Sequence, residues 1–305
     1  MNNKNVAPIV LFTYDRYTHL TLTINSLKEN RLAKFSKLFI FSDGPKSNRE
    51  FEKIKKIRSY LKEISGFKKI IIIERKKNYG LSKNIIDGVS FVLKKFKKII
   101  VVEDDLIVNK FFLDYMNSGL NIYKRDKNVA SIHGYIYPIK DLKKKIKNNT
   151  FFLKGADCWG WATWSRAWNT FEKDGKKLSS KLIKENKIKE FNFNDYYNYY
   201  QMLKDQIDKK NDSWAIRWYA SCFLKKMYTL YPSETFVQNI GIDRYGQNTK
   251  IDLLGLSSKK IEISDYKIKK NEIKESQNAR ELVENFYKSK KIFRIKAILK
   301  KFLNV

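Results

Sequence analysis

Three consecutive carboxylates, Glu103-Asp104-Asp105, close the apolar, β-branched run Lys98-Ile99-Ile100-Val101-Val102. A continuous run of this kind predicts a strand buried on both faces. Acidic groups crowded at the end of such a strand repel one another and lose solvation, so a cation should meet them. A hard divalent metal carrying a phosphorylated ligand meets that need. A solvated acidic turn is the plainer alternative, but three other strand ends carry polar clusters too: Thr13-Tyr14-Asp15-Arg16, Ser42-Asp43-Gly44 and the stretch from Arg75 to Gly80.

The elements that must position these clusters follow from periodicity. Apolar runs at Ile9–Phe12, Leu38–Phe41, Ile70–Ile73 and Ile99–Val102 recur about thirty residues apart, the length of a βαβ unit. Between them, Leu20, Ile24 and Leu27 share one helical face. So do Phe51, Ile54, Ile57, Leu61 and Ile64, and again Leu81, Ile85, Val89, Val92 and Phe96. The alternation predicts an α/β fold: a Rossmann-like, mostly parallel sheet flanked by helices. In open sheets of this type, ligands bind beyond the carboxyl ends of the strands, where all four clusters fall. The first strand-to-helix turn holds no glycine, and no G-x-x-x-x-G-K-[ST] occurs. Phosphates therefore need something other than a glycine cradle, and a metal on the carboxylates, helped by Arg or Lys, supplies it.

Several stretches carry a family resemblance. Pro8-Ile9-Val10-Leu11-Phe12-Thr13-Tyr14-Asp15-Arg16 resembles the first strand of N-acetylglucosaminyltransferase I, which ends in a similar Asp-Arg. Val101-Val102-Glu103-Asp104-Asp105-Leu106-Ile107-Val108, with Phe111-Phe112-Leu113-Asp114-Tyr115, is similar to that family's Glu-Asp-Asp strand and following aromatic helix. Trp159-Gly160-Trp161 is similar to its Gly-Trp loop, and Asp212-Ser213-Trp214 to its Asp-Asp-Trp segment, although Asn211 stands where the family has a first Trp. Bacterial polysaccharide transferases of the same superfamily are closer still in Val237-Gln238-Asn239-Ile240-Gly241. The likeness covers residues 6–245, patchily between the blocks.

The resemblance implies the GT-A fold and an inverting glycosyltransferase that uses a nucleotide sugar and Mn²⁺ (or Mg²⁺). It implies that Arg16 and Asp43 hold the nucleotide, that Asp105 ligates the metal, that Glu103 contacts the donor sugar and that Asp212 is the catalytic base. Thr13, Tyr14, Lys83 and Asp104 join the candidate donor site; Asp157, Trp159 and Trp161 join the candidate acceptor site. Strand alternation places Glu103 and Asp105 on one face and Asp104 elsewhere. Plainer readings stand beside these. Asp43-Gly44-Pro45 is a good turn. Arg16 can pair with Asp15, and Asp212 can cap the helix through Trp218 and Phe223. The tryptophans from Trp159 to Trp168 read first as core, with stacking on a sugar as the alternative for Trp161. His19 and His133 are isolated, and neither is expected to bind metal or act as acid or base.

Residues 1–250 are expected to form the catalytic domain, with 6–108 as the nucleotide half and 109–250 as the acceptor half; residues 251–305 form a basic helical tail. The acceptor half is expected to hold a strand over Val129–Tyr137, an exposed loop over Lys143–Asn149 and an insertion over Phe191–Tyr200. Cys158 and Cys222 are the two cysteines of the chain, which points to a reducing compartment rather than a disulfide framework. No apolar run approaches the length of a membrane span, and the N-terminus does not read as a signal peptide. A cytoplasmic protein is expected, docked at the inner face of the membrane if the tail binds there. From Lys288 to Val305 the tail alternates Ile, Leu and Phe with Lys and Arg, as in a helix at an anionic lipid surface; packing on the protein's own domain is the alternative.

The 305 residues include 63 Lys and Arg against 32 Asp and Glu, a net charge of +31. Eleven of the 63 are Arg, and Lys is spread along the whole chain, so the excess does not read as nucleic-acid recognition. The leading expectation is a metal-dependent inverting transferase moving a sugar, from a UDP-sugar first among donors, to a glycan or lipid-linked glycan in surface polysaccharide synthesis. A nucleotidyltransferase acting on sugar phosphates is an alternative, but its glycine-rich basic loop after the first strand is missing. A non-catalytic membrane-surface or polyanion-binding protein is the third class.

Overall fold

The computed structural model describes residues 5–146, 148–242, 252, 255–258, 261 and 268–302, with side chains through residue 291. The order is β1 (Ile9–Thr13), α1 (Tyr17–Lys28), β2 (Lys37–Ser42), α2 (Phe51–Glu63), β3 (Lys69–Glu74), α3 (Leu81–Phe96), β4 (Lys98–Glu103) and β5 (Leu106–Val108). There follow α4 (Phe112–Ile122), β6 (Val129–His133), α5 (Leu142–Lys145), β7 (Thr150–Lys154), β8 (Trp161–Trp164), α6 (Ser165–Trp168) and α7 (Gly175–Lys184). The chain continues through α8 (Ile188–Phe191), α9 (Tyr199–Ile207), α10 (Trp214–Leu224), β9 (Tyr228–Pro232), β10 (Val237–Asn239) and α11 (Gln277–Phe302).

Among the described residues, eight strands form one sheet in the order β3-β2-β1-β4-β8-β6-β9-β7. The first four are parallel, β8 is antiparallel to both neighbours, β6 and β9 are parallel, and β7 runs against β9. Six of the eight strands thus share a direction. The period of two divides each central strand between two cores. Ile9, Leu11, Leu38, Ile40, Ile100 and Val102 pack with Leu20, Ile24, Ile57 and Leu61 of α1 and α2. Val10, Phe12, Phe39, Phe41, Ile99 and Val101 pack on the opposite face with Ile85 and Val89 of α3 and with Trp214 and Trp218 of α10. Burial on both faces is why these strands read as unbroken apolar runs.

The strand order reverses beside β1. The first two crossovers carry the chain outward to β3, and α3 returns it across the other face to β4. The carboxyl ends of β1 and β4 therefore flank a topological switch point, where connections leave in opposite directions and a crevice opens. β5 and β10 form a small antiparallel pair beyond it. Their pairing carries the backbone on to Ile240, whose amide donates to the Asp105 carbonyl at 2.9 Å.

Two expected segments differ. β6 ends at His133, not Tyr137, because Gly134 leaves the ladder: its amide donates to Gly160 O at 2.7 Å and its carbonyl accepts from Phe236 N at 2.8 Å. The lysine-rich loop over residues 143–149 instead begins with the short helix α5, anchored by buried Leu142 and Ile146; Lys147 lies outside the described residues. At the C-terminus, Ala279, Val283, Phe286 and Tyr287 of α11 are buried in the main core. The interfacial pattern expected beyond residue 291 rests on side chains outside the described residues. Among the described residues, no helix is long and apolar enough to cross a membrane.

Candidate active site

A cavity of about 450 Å³ opens at the switch point. Thr13, Tyr14, Asp15 and Arg16 after β1 line it, as do Asp43 after β2, Asn78 and Gly80 before α3, and Glu103, Asp104 and Asp105 after β4. The four clusters expected on one rim do meet there. The same cavity extends into an aromatic lobe that includes Tyr135, Tyr137, Trp159, Tyr231 and Tyr287.

Glu103 ends β4 opposite Phe12, while Asp104 and Asp105 lie in the turn to β5. The turn rather than the pleat orients them, so strand alternation does not apply beyond Glu103. Asp104 accepts from the Tyr14 amide at 3.1 Å, and Asp105 meets Arg16 Nη1 at 3.3 Å. Burial, then the charges of Asp105 and Asp104, pushes the Glu103 carboxyl well above the usual range. Burial and then Asp105 push Asp104 up to about 7. The Arg16 guanidinium opposes both shifts but does not cancel them. The centre is thus poised to accept positive charge.

Among the described residues, no three His, Cys, Asp or Glu side chains gather into a metal cage. A lone carboxylate such as Asp105 suits Mg²⁺ or Mn²⁺ when diphosphate oxygens and water complete the octahedron. The residues therefore fit such an ion together with its phosphorylated ligand rather than alone.

Asp43 has a different setting from the one expected of a nucleotide contact. Only 4% exposed, it accepts from Gly44 N at 2.9 Å, Tyr79 N at 2.8 Å, Gly80 N at 3.0 Å and Asn78 Nδ2 at 3.3 Å. Four donors match the capacity of a carboxylate. Asp43 therefore staples the β2 turn to the loop before α3, and the turn reading accounts for its bonds. Tyr14 stands between the acidic centre and Lys46, whose amide donates to its hydroxyl at 3.3 Å and whose Nζ lies 5.6 Å from its ring centroid. Lys83 does not reach the cavity: it is exposed, with Nζ 4.5 Å from the Tyr79 ring.

The two tryptophans of Trp159-Gly160-Trp161 part company. Trp159 lines the lobe, 4.7 Å from Tyr135 between ring centroids. Trp161 opens β8 and has no exposed surface; its ring packs on Trp214 at 5.4 Å, Trp168 at 5.8 Å and Trp218 at 6.1 Å. Pairing with Val101 and His133 drives it into the core, so it cannot stack on a sugar. Asp157 lines the lobe and accepts from Cys158 N at 2.8 Å and Tyr137 Oη at 3.2 Å.

Asp212 does not itself line the cavity but stands beside Gly80, between the lining residues Asn211 and Ser213, its side chain 65% exposed and 3.8 Å from Arg217 Nη2. Ser213, not Asp212, caps α10 by accepting from Ile216 N at 3.2 Å. The carboxylate at Asp212 is therefore not committed to the helix end.

Other residues enter the site unannounced. Gly241 packs so closely on Asp105 and Arg16 that an added Cβ would lie 2.0 Å from Asp105 Oδ2. Its sequence signal was the Val237–Gly241 resemblance, which carried no role. His19 Nε2 lies 3.2 Å from Ile240 O in the same corner. His133 is fully buried 3.7 Å from Asp157, and burial lowers its pKa. Tyr287 arrives from α11, and nothing local in the sequence points to it.

No family model matches the chain, and no curated protein matches it. Solved structures show partial likeness. TarS of S. aureus shares 13% identity over 44% of this chain and 22% of its own, with a TM-score of 0.32. The mannosyltransferase PcManGT of Pyrobaculum calidifontis, in complex with GDP-Man and Mn²⁺, shares 8% over 58% and 46%, with a TM-score of 0.34. The galactosyltransferase LgtC, in complex with donor and acceptor sugar analogues, shares 13% over 58% and 64%, with a TM-score of 0.34. The chain thus spans less than two thirds of each. Overlap this partial says nothing about the chemistry of this chain. Its own fold and site define an α/β protein with an acidic ligand cavity at a switch point.

Proposed function

We propose that the protein is a metal-assisted glycosyltransferase of the GT-A type, moving a sugar from a nucleotide donor, first among candidates a UDP-sugar, to a glycan or lipid-linked glycan. The observation that carries this reading is the continuity of one cavity from the acidic centre at the β1/β4 switch point into an aromatic lobe. A diphosphate and a sugar acceptor need two such neighbouring compartments. Asp105 would hold Mn²⁺ or Mg²⁺ with the diphosphate, and the bound ion would offset charge on the leaving nucleotide. Arg16, 14% exposed and beside Asp105, adds a fixed cation to the same place. Glu103 faces the donor sugar. Asp212 beside the cavity takes the proton of the incoming hydroxyl, so a single displacement inverts the anomeric centre.

The test is hydrolysis and thermal stabilisation with a panel of UDP-, GDP- and dTDP-sugars, with and without Mn²⁺. A saturating donor at about 100 times its Kd should stabilise the fold by about 2.7 kcal/mol. Asp105→Ala should remove the Mn²⁺-dependent part of that gain and leave the ligand-free melting temperature unchanged. A metal response that survives in Asp105→Ala would sink the proposed metal site.

A further inference from the structure

We infer that the aromatic lobe recognises a small ammonium group, held between perpendicular rings and the Asp157 carboxylate. This deepens the transferase reading by naming the acceptor chemistry, and it can be tested separately. Tyr135, Tyr137 and Trp159 form walls rather than a platform, next to Tyr287, which stacks on Tyr197 at 4.6 Å. Tyr135 meets Trp159 at 69° and Tyr137 at 81°, with centroids 4.7 and 6.0 Å apart. A pyranose stacks best on one flat aromatic face. A compact cation instead gains from several ring faces at once, because each carries negative quadrupole density. Two of the hydroxyls are already committed: Tyr135 Oη donates to Leu256 O at 2.8 Å and Tyr137 Oη to Asp157 Oδ2 at 3.2 Å.

The charge balance points the same way. Among the described residues, Asp157 has Tyr137, the Cys158 amide and thiol, and His133 as its polar neighbours, and burial favours the neutral imidazole. Neither His133 ring nitrogen has a hydrogen-bond partner among the described residues. Cations near the lobe are engaged elsewhere. Lys154 and Lys187 pair with Glu190, and Arg280 pairs with Glu275 and Glu284. Among the described residues, these three cations and three carboxylates cancel, and no Lys or Arg pairs with Asp157. In a chain of net charge +31, a lobe whose described neighbouring cations are paired with other carboxylates is set up for positive charge from outside. The N–H donors of a primary ammonium would also satisfy the remaining carboxylate lone pairs.

The experiment is calorimetry on the full chain, without donor or metal, below the pKa of the amine. The probes are methyl glucosaminide, methyl glucoside and tetramethylammonium. The glucosaminide should bind about tenfold or more tighter than the glucoside, and Asp157→Asn should erase the difference while keeping the wild-type melting temperature. Tetramethylammonium separates the sources: binding as tight as the glucosaminide points to a quaternary headgroup, weaker binding to an amino sugar. Equal affinity for the two glycosides together with no tetramethylammonium binding overturns the inference, as does a preference that survives Asp157→Asn. The wild-type comparison decides even if the variant fails to fold. Donor hydrolysis plays no part in this measurement, so its outcome and that of the transferase test remain distinct.

Discussion

Gly241→Ala offers a sharp probe of the acidic centre, because it alters geometry without removing any charged group. An added methyl would lie 2.0 Å from Asp105 Oδ2 and 2.7 Å from Arg16 Nη1, whereas ordinary contact begins at 3.4 Å. Asp105 must therefore retreat by about 1.4 Å, or the backbone must move instead. The backbone is held from its N-terminal side by two bonds. Gly241 N donates to Asn239 Oδ1 at 2.8 Å, and the preceding Ile240 amide donates to Asp105 O at 2.9 Å. The side chains of Asp105 and Arg16 are the softer partners, so they should swing apart. A displacement of this size at a reacting centre costs about 10²-fold in rate. The assay is kcat/KM for donor hydrolysis with Mn²⁺, paired with calorimetry of the nucleoside diphosphate and a melting curve. Loss of rate and affinity with a near-wild-type melting temperature is expected. A fully active Gly241→Ala protein would refute the placement of the centre at Asp105 and Arg16.

The remaining predictions test the acid, the staple and the base. Asp104 titrates at about 7 in the fold against an ordinary 3.8, so the folded state binds more protons between these values and stability falls as pH rises through them. Without metal, Asp104→Asn should therefore gain on wild type in melting temperature from about pH 4 to pH 8, and parallel curves would contradict the shift. Asp43→Ala strips partners from four donors and should destabilise by about 3 kcal/mol, a fall of about 6–12 °C by calorimetry. Weaker nucleotide binding at unchanged stability would restore the contact reading for Asp43. Asp212→Asn should keep donor affinity but cut transfer by about 10²–10⁴-fold, and Ser213 keeps the helix capped in either case. Full activity would move the base to another carboxylate, and retention at the anomeric carbon, read by NMR, would exclude the single displacement.

Local order carried far in the sequence. Continuous apolar runs placed β1 to β4, and helical faces placed α1, α2 and α3, because burial on two faces or one stripe leaves a period that neighbours alone reveal. The acidic triplet was equally plain, since clustered charge after a buried strand needs an explanation wherever the chain goes. What the sequence left open was decided by meetings across long separations. Gly241 reaches Asp105 through the β5–β10 pair, and Tyr287 reaches the lobe from α11. Trp159 and Trp161 share a motif, yet the start of β8 buries one and leaves the other on the cavity wall. Asp43 had the residue type of a ligand contact, but backbone amides from the loop before α3 take its lone pairs. His133 looked isolated until the end of β6 set it beside Asp157. Periodicity records which side of an element faces inward; it does not record which distant loop arrives to fill a carboxylate or wall a cavity, and only the packed chain determines that.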